Sequence, residues 1–133
     1  MIPLWVKKLI NHESPVINGD GTYSRDFTYI DNVIQANLLS LVTTNKKAIN
    51  TVYNVAYGDR NTLNDLMIYL KEYLSEFDAE ISSVEVIYGP NRVGDVPHSH
   101  ACVNKAKELL NYNPQFCLQR GLKEAVSWYW KNL

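Results

Sequence analysis

Leu63, Leu66, Met67, Leu70, Leu74 and Phe77 all fall on one side of a helical wheel. This stripe is the strongest ordering signal in the chain. Thr62 directly precedes it and can cap the free N–H groups of its first turn, so the spacing predicts a helix from Thr62 to about Phe77. The rest of the chain must supply the surface that this stripe packs on, and every other segment is short. Pro3 suits the first turn of a helix over 3–11, with Leu4, Leu9 and Ile10 facing inward. Asp31 is placed to cap a helix from about 32 to 43, with Val33, Ile34, Leu38, Leu41 and Val42 on one side. A helix over 103–111 is closed by Asn111 and Pro114. Another over 118–132 turns Leu118, Leu122, Val126, Tyr129 and Trp130 inward.

The strand signals are brief. Residues 15–18 read as a strand followed by the turn Gly19-Asp20-Gly21. Residues 25–30 alternate around Phe27, Tyr29 and Ile30, TVYNVA at 51–56 reads as a buried strand, and VEVIY at 84–88 as another. The expectation is a small α/β domain over 1–133, with short non-sequential strands and about five helices. Regular βαβ units are absent from the pattern. Trp5, Trp128 and Trp130 read as core or interface anchors, and Lys7-Lys8 as a solvated face.

Bulk properties narrow the function. With 133 residues the chain can bury a real core. Hydrophobic residues at 46% and charged residues at 20% give the balance of a soluble globular protein. The 13 basic and 14 acidic residues nearly cancel, so no global field favours nucleic acid or an anionic membrane, and any anion site must be local. No apolar run approaches the ~20 residues that span a bilayer. The start, MIPLWVKKLI, does not read as a signal peptide. Cys102 and Cys117 lack CxxC spacing. His98 and His100 lie close to Cys102 but without the paired spacing of structural zinc, so two free thiols in a reducing cytoplasm is the expectation.

Three loops carry polar chemistry. In 19–26 the glycines allow close approach to a ligand, and the Arg25 fork suits phosphate oxygens; pairing of Arg25 with Asp20 or Asp26 is the alternative. In 56–60, AYGDR joins a strand end to the helix start at Thr62, a place that favours anions, or else Arg60 pairs with Asp59 or Asp65. In 92–100, Arg92 can hold a diphosphate, Asp95 can accept from sugar hydroxyls, and Ser99 adds a neutral donor and acceptor. His98 and His100 suit acid–base work, or plain hydrogen bonding.

The order INGDG-x-x-SRDF-x-YIDNVIQAN, YNVA-x-GDR-x-TLN, R-x-GDV-x-HS-x-A, KAKELLNY-x-P and GLKEAVSWY resembles the C-terminal half of NAD-dependent nucleotide-sugar epimerases. These are extended short-chain dehydrogenase/reductases, and the likeness is greatest to UDP-N-acetylglucosamine 4-epimerases of polysaccharide synthesis. It covers essentially the whole chain. It implies a substrate-binding lobe in which Arg25 and Arg92 hold the UDP diphosphate and Asp95 binds the ribose. Ser99 would lie near the sugar or diphosphate. Asn18, Gly19 and Asp26 would shape the uridine and phosphate pocket, with Asp26 also steadying Arg25. The family's glycine-rich dinucleotide loop and Tyr-x-x-x-Lys pair have no match in this sequence. The resemblance therefore implies a fragment with no catalytic, cofactor or metal residue of its own. Its NAD would sit in the dinucleotide-binding domain of the full-length parent, which is its expected partner beside a UDP-sugar. Neighbouring readings are part of a nucleotide-sugar dehydratase, reductase or decarboxylase, or a non-catalytic remnant that self-associates through exposed apolar helices.

Overall fold

The computed structural model describes all residues 1–133. Helix α1 (Ile2–Ile10) carries Pro3 in its first turn, where a missing N–H costs nothing. Strand β1 (Val16–Asn18) follows, then β2 (Ser24–Arg25), helix α2 (Ile30–Val42), β3 (Asn61–Thr62), α3 (Leu63–Ser75), β4 (Ile87–Gly89), α4 (Asn104–Leu110) and α5 (Leu118–Asn132). Single 3-10 turns at Lys46–Ala48 and Ala79–Ser83 were not foreseen. The sheets are minimal: β1 runs parallel to β4 with Ile17 opposite Tyr88, and β2 runs antiparallel to β3 with Arg25 opposite Asn61.

The main core forms where α3 packs against α1 and α5. Leu63, Leu66, Met67, Leu70 and Leu74 are buried there with Trp5, Val6 and Leu9 of α1 and Leu118, Leu122 and Val126 of α5. Tyr129 and Trp130 are half-buried against it. The start of α3 is held by a full capping box: Thr62 Oγ1 accepts from the Asp65 N–H, and Asp65 accepts from the Thr62 N–H. Trp5 closes the floor by donating its indole N–H to the Val16 carbonyl at 3.0 Å. A smaller cluster of Ala36, Ala56, Val103, Ala106 and Tyr112 joins α2 to α4. Asn111, in the left-handed region at φ 57°, ends α4.

Five expectations need correction. Leu4 is 59% exposed, because α1 turns Trp5 and Val6 inward instead. The strand foreseen at 25–30 is only Ser24–Arg25, since α2 already begins at Ile30. Asp31 therefore lies in the first turn of α2, where it complements the helix dipole but does not cap.

The apolar side assigned to α2 faces solvent: Ile34, Leu38, Leu41 and Val42 are exposed, while Asn32 and Ala36 are the buried positions. Buried Asn32 decides this rotation. Its amide donates to the Phe116 carbonyl at 2.8 Å, and its Oδ1 accepts the N–H groups of Gln115 and Phe116. Losing three such bonds would cost more than exposing a few aliphatic side chains. Lastly, 51–56 is not a strand. It has no ladder partner and leaves Val52 84% exposed, because no neighbouring strand in this chain runs beside it.

Candidate functional site

The polar loops meet around β2, and Asp26 is the tie. Its carboxylate accepts the Gly58 N–H at 3.2 Å and the Ala101 N–H at 3.3 Å. One side chain thus joins the end of β2 to the 56–60 loop and to the end of the 89–100 loop. The expectation that Asp26 steadies Arg25 is replaced by this backbone role. Tyr112 supports the same junction from below by donating to the Ala56 carbonyl at 2.8 Å. Burial, aided by the nearby Asp26 charge, pushes its phenol up to about 12, so it stays a neutral donor at physiological pH.

Arg25 is half-buried, and its partner is neither Asp20 nor Asp26. Nη2 donates to Asp95 Oδ1 at 2.5 Å, and Nη1 donates to the carbonyls of Ser24 and Pro97. Three of the five guanidinium N–H groups are thereby used, and Nε–H and one Nη2–H stay free. With the two side chains 26% and 30% exposed, the ion pair contributes roughly 1 kcal/mol or less. A doubly charged ligand can therefore compete for the fork at little cost.

Ser99 sits beside this pair through its N–H, which donates to the Ser24 carbonyl at 3.0 Å. Gly19 approaches the other end of the same loop. Its N–H donates to the Gly89 carbonyl, and its φ of 77° allows the turn. A Cβ at Gly19 would meet only Asn91 Oδ1, the end of an exposed side chain that can swing aside, so the positive φ is what favours glycine here. Asn18 lies exposed at the end of β1, opposite Gly89. Arg92 stands apart: its side chain is exposed and unpaired, and no partner links it to Arg25. Only its carbonyl is used, accepting the Asp95 N–H. The structure thus gathers Arg25, Asp95 and Ser99, sets Asn18 and Gly19 at the start of the same loop, and leaves Arg92 at the rim.

Arg60 is exposed without an ion pair, since Asp65 is spent on the α3 cap and Asp59 accepts the Arg60 backbone N–H at 2.7 Å. His98 Nδ1 and Ser24 Oγ share a hydrogen bond of 2.9 Å, a pairing across 74 positions that spacing alone does not reveal. His100 is exposed. No group of three or more His, Cys, Asp or Glu side chains is placed to hold a metal, and both cysteines are free. No helix is long and apolar enough to cross a membrane.

A cavity of about 540 Å³ is lined by Ile2, Phe27, Tyr29, Leu118, Trp128 and other mainly apolar neighbours. It includes none of the candidate anion ligands. Both sheets have two strands, and no glycine-rich turn leads from a strand into a helix.

Known proteins share this sequence pattern and this fold. Residues 1–56 match the NAD dependent epimerase/dehydratase family. A UDP-glucuronate 4-epimerase of Thermodesulfobacterium geofontis is 32% identical over 129 residues, which is 95% of this chain and 36% of that protein. The crystal structure of a UDP-glucose 4-epimerase with UDP-glucose from Thermotoga maritima aligns with a TM-score of 0.83 at 35% identity, covering 98% of this chain and 40% of that one. The UDP-N-acetylglucosamine 4-epimerase of Methanobrevibacter ruminantium, in complex with UDP-N-acetylmuramic acid, aligns at 0.86 and 33% identity, covering 100% and 40%. The chain spans about two fifths of the length of these relatives. Sequence and fold agree along nearly all of it: the chain belongs to the NAD dependent epimerase/dehydratase family of short-chain dehydrogenase/reductase type.

Proposed function

We propose that this chain is the C-terminal, UDP-sugar-binding part of an NAD-dependent UDP-hexose or UDP-N-acetylhexosamine 4-epimerase. The supporting observation is the Arg25 fork, half-buried beside Asp95 and Ser99 with two N–H groups free. A diphosphate would take those donors and displace or share Asp95, freeing its carboxylate to accept from ribose hydroxyls. Arg92, unpaired at the rim, can swing onto the same phosphates, and Asn18 and Gly19 border the loop that would close over the nucleotide. Hydride and proton transfer belong to the parent's dinucleotide-binding domain with its NAD, so the isolated chain binds without catalysing. Its place of work is the cytoplasm.

Calorimetric titration of the 133-residue chain with UDP tests this reading. Binding is expected, weakened about tenfold or more in Arg25→Ala, the scale of a lost charge-assisted bond. No heat at millimolar UDP would overturn it.

The exposed apolar side of α2 (Ile34, Leu38, Leu41) favours a second role as a contact surface, either for the parent's other domain or for a second copy. Light scattering over a dilution series separates a self-associating remnant from a monomer that awaits its partner domain.

A further inference from the structure

Between Asn91 and His100 almost every residue is exposed, and Val93 is fully so. Yet this stretch carries Arg92, Asp95 and Ser99. Something must hold it in register with Arg25, and the candidates are few. The contacts concentrate on one residue, Ser24. It is buried to 6% exposure, its N–H donates to the Pro97 carbonyl at 2.9 Å, and its carbonyl accepts the Ser99 N–H at 3.0 Å. These two bonds form a parallel bridge between Ser24 and His98. A two-bond bridge at a solvent edge is weak alone. The added element is the side-chain bond from Ser24 Oγ to His98 Nδ1 at 2.9 Å, which closes the bridge on its own pair. It also satisfies a buried hydroxyl, for which the structure records no other partner.

We propose that His98 is a positioning residue: through Ser24 it seats the 92–99 loop so that Asp95 and Ser99 stand against Arg25. It touches no reacting atom. Acting on the loop, it sets the affinity of the site for a nucleoside diphosphate, and that part rests on the function proposed above. Three other side-chain restraints act on the loop: the Arg25–Asp95 pair, the long 3.4 Å bond from Arg25 Nη1 to the Pro97 carbonyl, and the Asp26 bond to Ala101. The two made by Arg25 share their guanidinium with any anion that binds it, and the third lies beyond Ser99. The His98–Ser24 bond is the side-chain restraint within 92–99 that does not depend on the Arg25 fork.

The test compares His98→Ala with His98→Asn, whose amide can place a hydrogen-bonding atom where Nδ1 lies. Amide hydrogen exchange reads the seating without any ligand, and UDP calorimetry reads its consequence. His98→Ala should speed exchange at Ser99 and Ser24 about tenfold and weaken UDP binding by a similar factor, with α3 amides unchanged. His98→Asn should recover most of both. Exchange and affinity within twofold of wild type in His98→Ala would overturn the proposal. So would equal acceleration in α3, which marks a general fold defect, or an Asn variant as impaired as Ala. If wild type binds no UDP while His98→Ala alone frees Ser99, the seating role stands and the binding function falls.

Discussion

At the scale of single residues, carboxylates expected beside a ligand or an arginine turn out to hold backbone. Asp26 accepts from Gly58 and Ala101, and Asp65 caps α3. Asp78 does similar work far from the site. It accepts the Glu80 N–H and lies 2.8 Å from His12 Nε2, tying the end of α1 to the 3-10 turn at Ala79–Ser83. The His12 hydrogen bond, aided by the Glu80 N–H, holds the Asp78 carboxyl below its ordinary 3.8. A depressed folded value means that the stabilisation is complete above the ordinary value. It is lost as pH falls through the lower, folded one. Urea midpoints measured from pH 5 downward should therefore fall less steeply in His12→Ala than in wild type. Identical slopes would show that His12 does not set the Asp78 proton affinity.

Arg25 shows what a sequence can reveal about a site and what it cannot. Its candidacy is legible because a planar fork in a glycine turn is a recognisable anion device. Its partner Asp95 lies 70 positions away and is set by where the chain folds back.

Among the elements, α5 and α2 meet through a glycine that helix propensity alone would disfavour. Gly121 is buried in mid-α5, and a Cβ there would sit 2.8 Å from Tyr29 Cβ and 3.0 Å from its ring. Tyr29 cannot simply yield, since it precedes α2 directly and packs on Phe116 with ring centroids 4.9 Å apart. Gly121→Ala gains about 1 kcal/mol of helix propensity. It pays for that with an overpacking cost of about 1–3 kcal/mol. We expect net destabilisation, seen as a lower urea midpoint with unchanged slope. A raised midpoint would show that Tyr29 moves aside freely. The rotation of α2 has the same origin in specific contacts, since Asn32 finds three backbone partners only when Ile34, Leu38 and Leu41 point outward.

Across the whole molecule, stability is divided unequally. Fourteen buried residues form the core around α1, α3 and α5, eleven of them on those helices, and five join α2 to α4 and the 51–56 segment. Local opening follows buried contacts, so hydrogen exchange should be slowest in α3 and α5 and much faster in α2. The amides of 51–56 should exchange fastest, having no ladder. Uniform protection would mean that another surface, such as a second copy, covers α2 in solution.

The sequence by itself determined the five helices, because the stripe of α3, its Thr62 cap, Pro3 and Asn111 act within a turn of where they stand. It also carried the family, because motif order is a property of the chain. Tertiary structure alone decided which side of α2 is buried, that 51–56 forms no strand, and which residues gather at Arg25. A strand needs a neighbour for its backbone bonds, a helix face needs something to pack on, and an arginine takes the nearest carboxylate that the fold delivers. Each of these partners lies far along the chain or outside it.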